Sequence, residues 1–516
     1  MQRGNRVIIN TLILYGKMGI AIVVGLLSTR LVLQGLGVED YGIYNLIAGM
    51  ISMLAFLNTA MAASTQRFMS FCMGKNDWEQ VRNVFYYSVL LHIAIGLVVI
   101  LLIEGVGLYL VNHVLSIPDD KIGIARNVLH YLSVSTFFSV LAVPYIATLI
   151  SHENMLLLSI IDIAEALFKL LIAVIVLSAT GNRLILYSAF MATVMCVSLI
   201  IKIICCLRKY PETRIQWSRI TDKNLMKEMS SFAGWNMIGA TCGIARGQGI
   251  AMLLNVFFGV VVNAAYGIAN QVNGLLSFFS VAIMQSIRPQ IIKSEGGGDR
   301  ERMLRLSLIA CKYMFYLCAI FAIPLILSMP YVLQLWLKDV PEYTVTFCRL
   351  ILLFTLTVML SQGVMISIEA VGSIKWLQIV VGTLHIVNFP IGYLLLKSGF
   401  PAYSVLLCMI CEEIVCTLLR VTIAKRIGGL SIRQYIKEVF LKTVPLFVIA
   451  FALGHLVSLG VSSGFAQLSC TIVAGAGGFL LLCWFCGIGQ EERARFIHLL
   501  YPKSISVPLK WDELNN

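Results

Sequence analysis

Y-G-I-Y-N-L-I-A-G-M-I-S at residues 41–52 returns 225 residues later as Y-G-I-A-N-Q-V-N-G-L-L-S at residues 266–277. Both copies follow the pattern Y-G-I-x-N-x3-G-x2-S. Each lies in an apolar stretch that leads into a basic, glycine-containing segment, at 67–77 and at 288–299. A long-range repeat of this kind in an apolar chain predicts a membrane protein built from two similar halves, with a binding site between them.

The composition of the chain requires lipid as its surroundings. Of its 516 residues, 59% are hydrophobic and only 13% are charged, and the mean hydropathy is +0.87. A soluble domain could not bury so much apolar surface. Because a span needs about 20 apolar residues, we predict an all-α integral membrane protein with about fourteen transmembrane helices. They are predicted at 9–34, 41–62, 83–111, 124–150, 154–178, 183–207, 228–254, 257–284, 304–328, 344–368, 374–396, 402–424, 441–459 and 465–486.

Basic residues are unevenly distributed between the two sides of the predicted membrane. The formal net charge is +13, and the loops that share a side with the N-terminus hold most of the Lys and Arg residues. The opposite loops hold only Lys121, Arg183, Lys338 and Lys397. This bias predicts that both termini are cytoplasmic. Topology and attraction to anionic membrane lipids explain the basic excess, so nucleic acid is not an expected partner.

The positions of the repeat predict the domain organisation. Matching the second span to the eighth gives each half six spans, so the two halves are parallel and related by an axis along the membrane normal. We predict an N-terminal six-helix lobe at 1–207, a cytoplasmic inter-lobe linker at 208–227, a C-terminal six-helix lobe at 228–427, two extra C-terminal helices within 428–486, and a cytoplasmic tail at 487–516.

Polar residues recur on one face of the repeated spans. Asn45 and Ser52 are seven residues apart, as are Asn270 and Ser277, and this spacing is nearly two helical turns. Amides facing lipid would lack hydrogen-bond partners, so the face is predicted to look into the protein or a wet cavity. Two interpretations are open: these residues bind substrate in a cavity, or they only hold neighbouring helices together.

Basic residues inside the predicted spans are the main candidates for ligand binding. Arg246 lies well inside its span in the small-residue stretch G-I-A-R-G-Q-G at 243–249, and a guanidinium offers two donors to a phosphate. Lys17 and Arg30 lie in the first span. Arg30 is close enough to the end of that span to reach the interface by snorkelling. For each of these residues, ligand contact and a structural role are both open interpretations.

Asp162, Glu165 and Lys169 are candidates for ion coupling. Their spacing places them on one helical face, and Glu165 and Lys169 have the order that favours an i,i+4 ion pair. The cluster either neutralises itself or acts as a relay for H+ or Na+, because carboxylates beside a cation titrate together.

Several chemistries have no support in the sequence. The motifs G-x4-G-K-[ST] and H-E-x-x-H do not occur. The 14 cysteines lie mostly within predicted spans and are interpreted as small buried residues rather than metal ligands. We therefore expect neither an enzyme nor a metal site, and no cofactor other than an H+ or Na+ gradient.

The stretch 28–44, with S-T-R-L at its start and L-G-V-E-D-Y-G-I-Y at its end, resembles the N-terminal signature of Wzx-type polysaccharide and O-antigen flippases. Q-R-F at 66–68 and G-K at 74–75 fit the same pattern. These flippases belong to the multidrug/oligosaccharidyl-lipid/polysaccharide exporter superfamily, which also contains the multidrug and toxin extruders and the lipid II flippase. The similarity covers the whole chain in span number and repeat.

The resemblance has implications for the site, the partners and the location. It implies that Arg30 and Arg67 in the first half, and Arg246 and Arg288 in the second, line a cationic path between the lobes. It implies a lipid-linked oligosaccharide as substrate, a polysaccharide polymerase and glycosyltransferases as partners, and a bacterial cytoplasmic membrane as location. The acidic cation site of the drug extruders has no recognisable counterpart in this sequence.

The expected function is a flippase that translocates a polyprenyl-diphosphate-linked oligosaccharide, such as an O-antigen or capsule repeat unit, by alternating access. One alternative is a cation-coupled multidrug exporter of the same superfamily, which would need an exposed carboxylate in an apolar cavity. Another is a scaffold that organises glycan-assembly enzymes without transport. The excess of basic over unpaired acidic residues in the spans favours an anionic ligand.

Overall fold

The computed structural model contains helices and short connections over the whole of its described part. It describes residues 3–52, 55–115, 117–214, 223–337, 339–461, 464–490 and 492–494. No strand occurs within these ranges. Ten of the described helices are long and apolar enough to cross a membrane. The prediction of an all-α multi-pass membrane protein is therefore confirmed.

The helices follow the predicted spans closely. Those of the first half are α1 Arg3–Ser52, α2 Ala55–Gly74, α3 Trp78–Leu102, α4 Leu108–His113, α5 Ile122–Ser151, α6 Met155–Ser178 and α7 Arg183–Lys209. Those of the second half and the C-terminal region are α8 Lys223–Gly296, α9 Arg300–Leu337, α10 Thr344–Val371, α11 Lys375–Lys397, α12 Ser404–Gly428, α13 Ile432–Tyr435, α14 Leu441–Leu459, α15 Phe465–Thr471 and α16 Gly478–Leu482. Helices α6 and α12 are also long enough to cross, but they carry clusters of charged residues.

Two glycines divide the longest helices. Gly37 in α1 and Gly259 in α8 both have φ of 80° in an extended conformation, and each separates two helical arms. Residues with a Cβ rarely adopt this conformation, so glycine is needed at both kinks. The sequence predicts two spans in each of these regions, and the kinks lie close to the predicted breaks.

The structural repeat has a different register from the sequence motif. Asp77 and Asp299 both cap the helix that follows, by accepting from a backbone N–H three residues later. The two caps are 222 residues apart, as are the two kink glycines, whereas Tyr41 and Tyr266 of the motif are 225 apart. Tyr41 lies four residues after its kink glycine, whereas Tyr266 lies seven residues after its own. The second motif copy is therefore three residues further from its kink than the first, which is close to one helical turn.

The two lobes meet at one end of the molecule. We call it the basic end, because α7 and α12 finish there with basic residues in their last turns. The Tyr15 hydroxyl donates to the Phe279 carbonyl over 2.8 Å, and Ser64 Oγ donates to the Met229 carbonyl over 2.9 Å. Among the described residues, the hydrogen bonds and ring contacts that join the lobes all lie at this end.

The C-terminal helices pack against α9. Lys312 in α9 is almost fully buried and forms an ion pair of 2.7 Å with Glu492, which follows the last helices. The Tyr316 hydroxyl donates to the Lys442 carbonyl over 2.6 Å. These contacts give Lys312, a charged residue inside a predicted span, a structural role that joins the extra helices to the second lobe.

The start of the predicted linker is fixed to the first lobe by an aromatic stack. The imidazole of His152 lies between the rings of Trp78 and Tyr210, with centroid distances of 6.3 and 3.9 Å. Its Nε2 is hydrogen-bonded to the buried carboxylate of Glu212. Residues 208–214 of the predicted linker are described, 215–222 lie outside the described residues, and α8 begins at Lys223.

Glu212→Gln is expected to reduce the pH dependence of stability. Burial of Glu212 raises its pKa, but the bond to His152 and the charge of Arg82 outweigh this effect and leave the pKa below its ordinary value. The stabilisation is therefore complete above the unfolded-state pKa and is lost as pH falls through the folded-state pKa. The variant should lose about 2 kcal/mol of folding free energy at neutral pH, and its melting temperature should fall less steeply than that of the wild type below about pH 4.3, the unfolded-state pKa of Glu. Glu301→Gln, an exposed carboxylate, should behave like the wild type, and parallel pH curves for wild type and Glu212→Gln would contradict the assignment.

Candidate functional site

Exposed polar residues and glycines line the arms of α1 and α8 beyond the basic end. Asn45 and Asn270 are both exposed, and Asn270 is a hydrogen-bond partner of Tyr266. Four glycines of these arms have open space where a Cβ would stand: Gly42, Gly49, Gly267 and Gly274. Amides facing lipid would lack partners, so we assign this surface to a cleft between the lobes that is closed at the basic end.

The second lobe contains a cavity of about 310 Å³ beside this cleft. Arg246 and Ser277, two residues predicted from the sequence, both line it. The remaining lining residues are Asn273, Ser280, Val281, Met284, Met314, Phe354, Thr355, Val358, Met359, Gln362, His385, Glu413 and Arg420. Asn273 Oδ1 accepts from Ser277 and Thr355, so here the polar face also links helices. The side chain of Ser52 lies outside the described part of the structure.

Arg246 is held by acidic residues of α12. Its Nη1 lies 3.2 Å from Glu412 Oε1, 3.4 Å from Glu413 Oε2 and 3.2 Å from His385 Nδ1. Glu413 also binds Arg420, which lies nearly two turns further along α12. Two guanidinium groups therefore pair directly with two carboxylates beside the cavity, and these contacts fix Arg246 in position.

The same cluster contains the one group of potential metal ligands among the described residues. Ligand atoms of His385, Glu412 and Cys416 lie within 4.8 Å of one another. The guanidinium of Arg246 already provides a positive charge 3.2 Å from both His385 and Glu412. Because this cation belongs to the protein and satisfies the carboxylate, we assign no metal to the cluster.

The first lobe holds a second charged cluster. Lys17 Nζ lies 3.0 Å from Asp162 Oδ2, and Lys169 Nζ lies 2.7 Å from Glu165 Oε1. The structure confirms the ion pair predicted between Glu165 and Lys169. Lys202 of α7, which the sequence analysis does not single out, reaches both carboxylates at 3.9 and 3.6 Å. Three lysines thus surround two carboxylates, which leaves one positive charge.

Arg30 is exposed on the outer half of the first arm of α1. Within the described ranges it forms no ion pair with a carboxylate. The other three arginines implied by the resemblance all have partners: Arg246 binds carboxylates of α12, and Arg67 and Arg288 bind groups at the basic end.

Arg67 and Arg288 lie in the seam that closes the basic end. Arg67 is buried, and its Nε and Nη2 donate to the carbonyls of Glu369 and Ala370, over 3.2 and 3.1 Å. These carbonyls belong to the last turn of α10, where the helix dipole favours a cation. Arg288 Nη2 donates to Glu369 Oε2 over 2.7 Å. Both arginines therefore meet at Glu369, away from the cavity in the second lobe.

Gly372→Ala is expected to weaken this seam. Gly372 follows α10 with φ of 93° and lies against the guanidinium of Arg67, which a Cβ would overlap. The backbone conformation alone should cost about 1 kcal/mol, and displacement of Arg67 should raise hydrogen exchange in α2. Gly429→Ala is the matched control, because Gly429 follows α12 with φ of 76° and has open space. Equal exchange in α2 for the two variants would contradict the docking role of Gly372.

Comparison with known proteins shows similarity in structure. No protein-family model and no curated protein matches the sequence. A MATE in complex with MaD3S superposes with a TM-score of 0.73 at 12% identity, covering 83% of this chain and 97% of its own. An outward-facing multidrug resistance MATE family transporter of the MOP superfamily gives 0.71 at 11% identity, covering 83% and 96%. A MOP superfamily transporter from Pyrococcus furiosus, described as having a binding pocket of reverse polarity, gives 0.70 at 11% identity with the same coverage.

These neighbours agree with the architecture derived above. They match over most of both chains, at an identity that bears on the fold alone. The chain therefore has the fold of the MATE transporters of the MOP superfamily.

Proposed function

We propose that the chain is a flippase that moves a polyprenyl-diphosphate-linked oligosaccharide across the bacterial cytoplasmic membrane by alternating access. The fold supports a membrane transporter, and a cleft between two lobes that is closed at one end suits exchange of a site between two sides. The choice of substrate depends on the charges in the spans.

The observation that carries the proposal is that the carboxylates well inside the described spans each have a cationic or imidazole partner, namely Glu104, Asp162, Glu165, Glu412 and Glu413. Glu104 lies 2.7 Å from His130, and the carboxylates of the two lobe clusters are bound by lysine and arginine. The cluster around Lys17 retains one positive charge, and Arg30 adds another. A substrate that enters this cleft therefore meets surplus cations, which favours phosphate over an organic cation.

The remaining surface suits the other parts of such a substrate. Asn45 and Asn270 offer amide donors and acceptors to sugar hydroxyls, and the glycines beside them leave space for a bulky glycan. The polyprenyl chain can stay in lipid while the diphosphate and glycan occupy the cleft. We propose an H+ or Na+ gradient as the energy source, with Asp162, Glu165 and Lys169 as the coupling residues.

Deletion of the gene in its host tests the proposal directly. Surface polysaccharide should be lost, and the complete lipid-linked repeat unit should accumulate on the cytoplasmic side of the membrane. Purified protein in liposomes should move a fluorescent polyprenyl-diphosphate glycan between leaflets, and imposed pH and sodium gradients would identify the coupling ion. Unchanged glycan with increased sensitivity to cationic dyes would overturn the flippase assignment in favour of a multidrug exporter.

A further inference from the structure

The acceptors of Arg67 belong to the opposite lobe. Arg67 is on α2 of the first lobe, whereas the carbonyls of Glu369 and Ala370 end α10 of the second. Its guanidinium also packs against the ring of Phe232 from the second lobe, 5.6 Å from the centroid. In alternating access the basic end must open, and Arg67 then loses both of these hydrogen-bond acceptors and this ring.

The seam has more donors than acceptors even when it is closed. Arg288 Nε and the amide Nε2 of Gln66 are buried and have no hydrogen-bond partner among the described residues. Gln66 is 93% buried, with 7% of its surface exposed. The two positions are 222 residues apart and therefore equivalent in the structural repeat. Unpaired buried donors are costly, and groups rich in oxygen acceptors would satisfy them.

Nearby charges limit which acceptors can bind. Arg67 interacts electrostatically with the carboxylates of Glu228, Glu295 and Glu369 and with the thiol of Cys72. Glu295 is paired with Arg300, and Glu369 with Arg288. A carboxylate-bearing ligand would repeat what Glu369 already provides. A diphosphate carries more charge and more oxygens than one carboxylate, and it matches the forked donors of two guanidinium groups.

We propose that Arg67 and Arg288 form an entry site for the diphosphate group of the substrate when the basic end is open. Closure then transfers Arg67 from the phosphate oxygens to the end of α10 and releases the anion toward the cleft. Phosphate binding and closure compete for the same guanidinium, so the anion itself shifts the lobes toward the open basic end. This inference rests on the proposed function for the identity of the natural ligand.

The test is a distance measurement across the seam in full-length protein. Glu79 and Glu301 are exposed and begin the helices after α2 and α8, and spin labels are attached there through non-canonical amino acids. The protein is placed in phosphatidylcholine nanodiscs, and inorganic pyrophosphate is added as the probe. In the wild type, pyrophosphate should shift the distance between the two labels from a short value, with the basic end closed, to a long value, with the basic end open. Arg288→Gln keeps the docking of Arg67, and its half-effect concentration should rise at least about tenfold.

Two further variants complete the design. Arg67→Ala should already favour the long distance and respond little to pyrophosphate. Arg433→Ala removes an exposed arginine of the basic end outside the seam, and it should respond like the wild type. The melting temperature of each variant verifies that it is folded. No response of the wild type, or an unchanged response of Arg288→Gln, overturns the proposal.

Changing the probe distinguishes the possible sources of the bound phosphate group. A shift with polyprenyl diphosphate as well as pyrophosphate supports both the entry site and the flippase. A shift with pyrophosphate but none with polyprenyl diphosphate supports the anion site and contradicts the flippase. If phosphatidylglycerol nanodiscs alone give the open distance and pyrophosphate adds nothing, bulk lipid headgroups occupy the site and the proposal fails.

Discussion

Arg246→Ala is expected to abolish transport and to destabilise the second lobe by about 3 kcal/mol. Removing the guanidinium leaves Glu412 and Glu413 facing the cavity with one fewer cation, and uncompensated buried carboxylates are costly. The cavity wall would then repel a diphosphate, and it would also lack the guanidinium donors that we propose to contact the phosphate from this wall. Thermal unfolding and flipping of a fluorescent polyprenyl-diphosphate glycan in liposomes measure the two effects separately.

A second substitution separates charge balance from ligand binding. Arg246→Ala combined with Glu412→Gln removes one carboxylate along with the guanidinium, so most of the stability should return while transport stays absent. Arg349→Ala is the matched control, since Arg349 of α10 donates to the Ile326 carbonyl outside the cavity. It should keep transport. Recovery of transport in the double variant would show that Arg246 only neutralises α12.

The membrane spans were predictable because their signal is local. Lipid thickness sets the length of an apolar run, and polar loops interrupt it, so each span is readable from its own residues. The extended glycine kinks were also accessible, since Gly37 and Gly259 follow apolar helices and precede matching second arms. Even the pair of Glu165 and Lys169 is local, because helix geometry fixes its spacing.

The partners of the charged residues were not predictable in this way. Arg246 meets Glu412 across 166 residues of sequence, and Lys17 meets Asp162 across 145. Tertiary packing alone brings these groups together, and the periodicity of the sequence contains no signal for contacts between distant helices. The cost of a charge inside a membrane implies only that some partner exists. Lys202 lies inside the sixth predicted span, so the same cost applies to it and a partner was to be expected.

The register of the repeat shows how a motif and a fold can differ. The similar residues around Tyr41 and Tyr266 align the two halves with an offset of 225 residues. The kink glycines and the helix caps align them with an offset of 222 residues. Backbone geometry selects glycine at a kink and aspartate at a cap. Lining residues of a cleft have no such constraint, so the motif copies can lie at different depths.

Gly74→Ala is expected to open the basic end. Helices α2 and α8 cross there with their backbones in contact: a Cβ on Gly74 would overlap the Lys293 carbonyl, and one on Gly296 would overlap the Phe71 carbonyl. Close helix crossings in membranes require such small residues. Because the overlapped atoms are backbone, the helices must separate. The distance between spin labels at the starts of α3 and α9 should shift to the long value, and transport should fall at least about tenfold.

Gly267→Ala is the control for this prediction, because it adds a methyl group to α8, the other helix of this crossing, at a position where nothing lies within 4 Å. It should leave the distance distribution unchanged. If Gly74→Ala also keeps the short distance and normal transport, the crossing is not what holds the lobes together. The ion pair of 2.7 Å between Glu153 and Lys293 would then remain with Arg67 as the closing contacts. Alternating access needs both states of the basic end, so a variant held open should still bind pyrophosphate at the seam while it fails to transport.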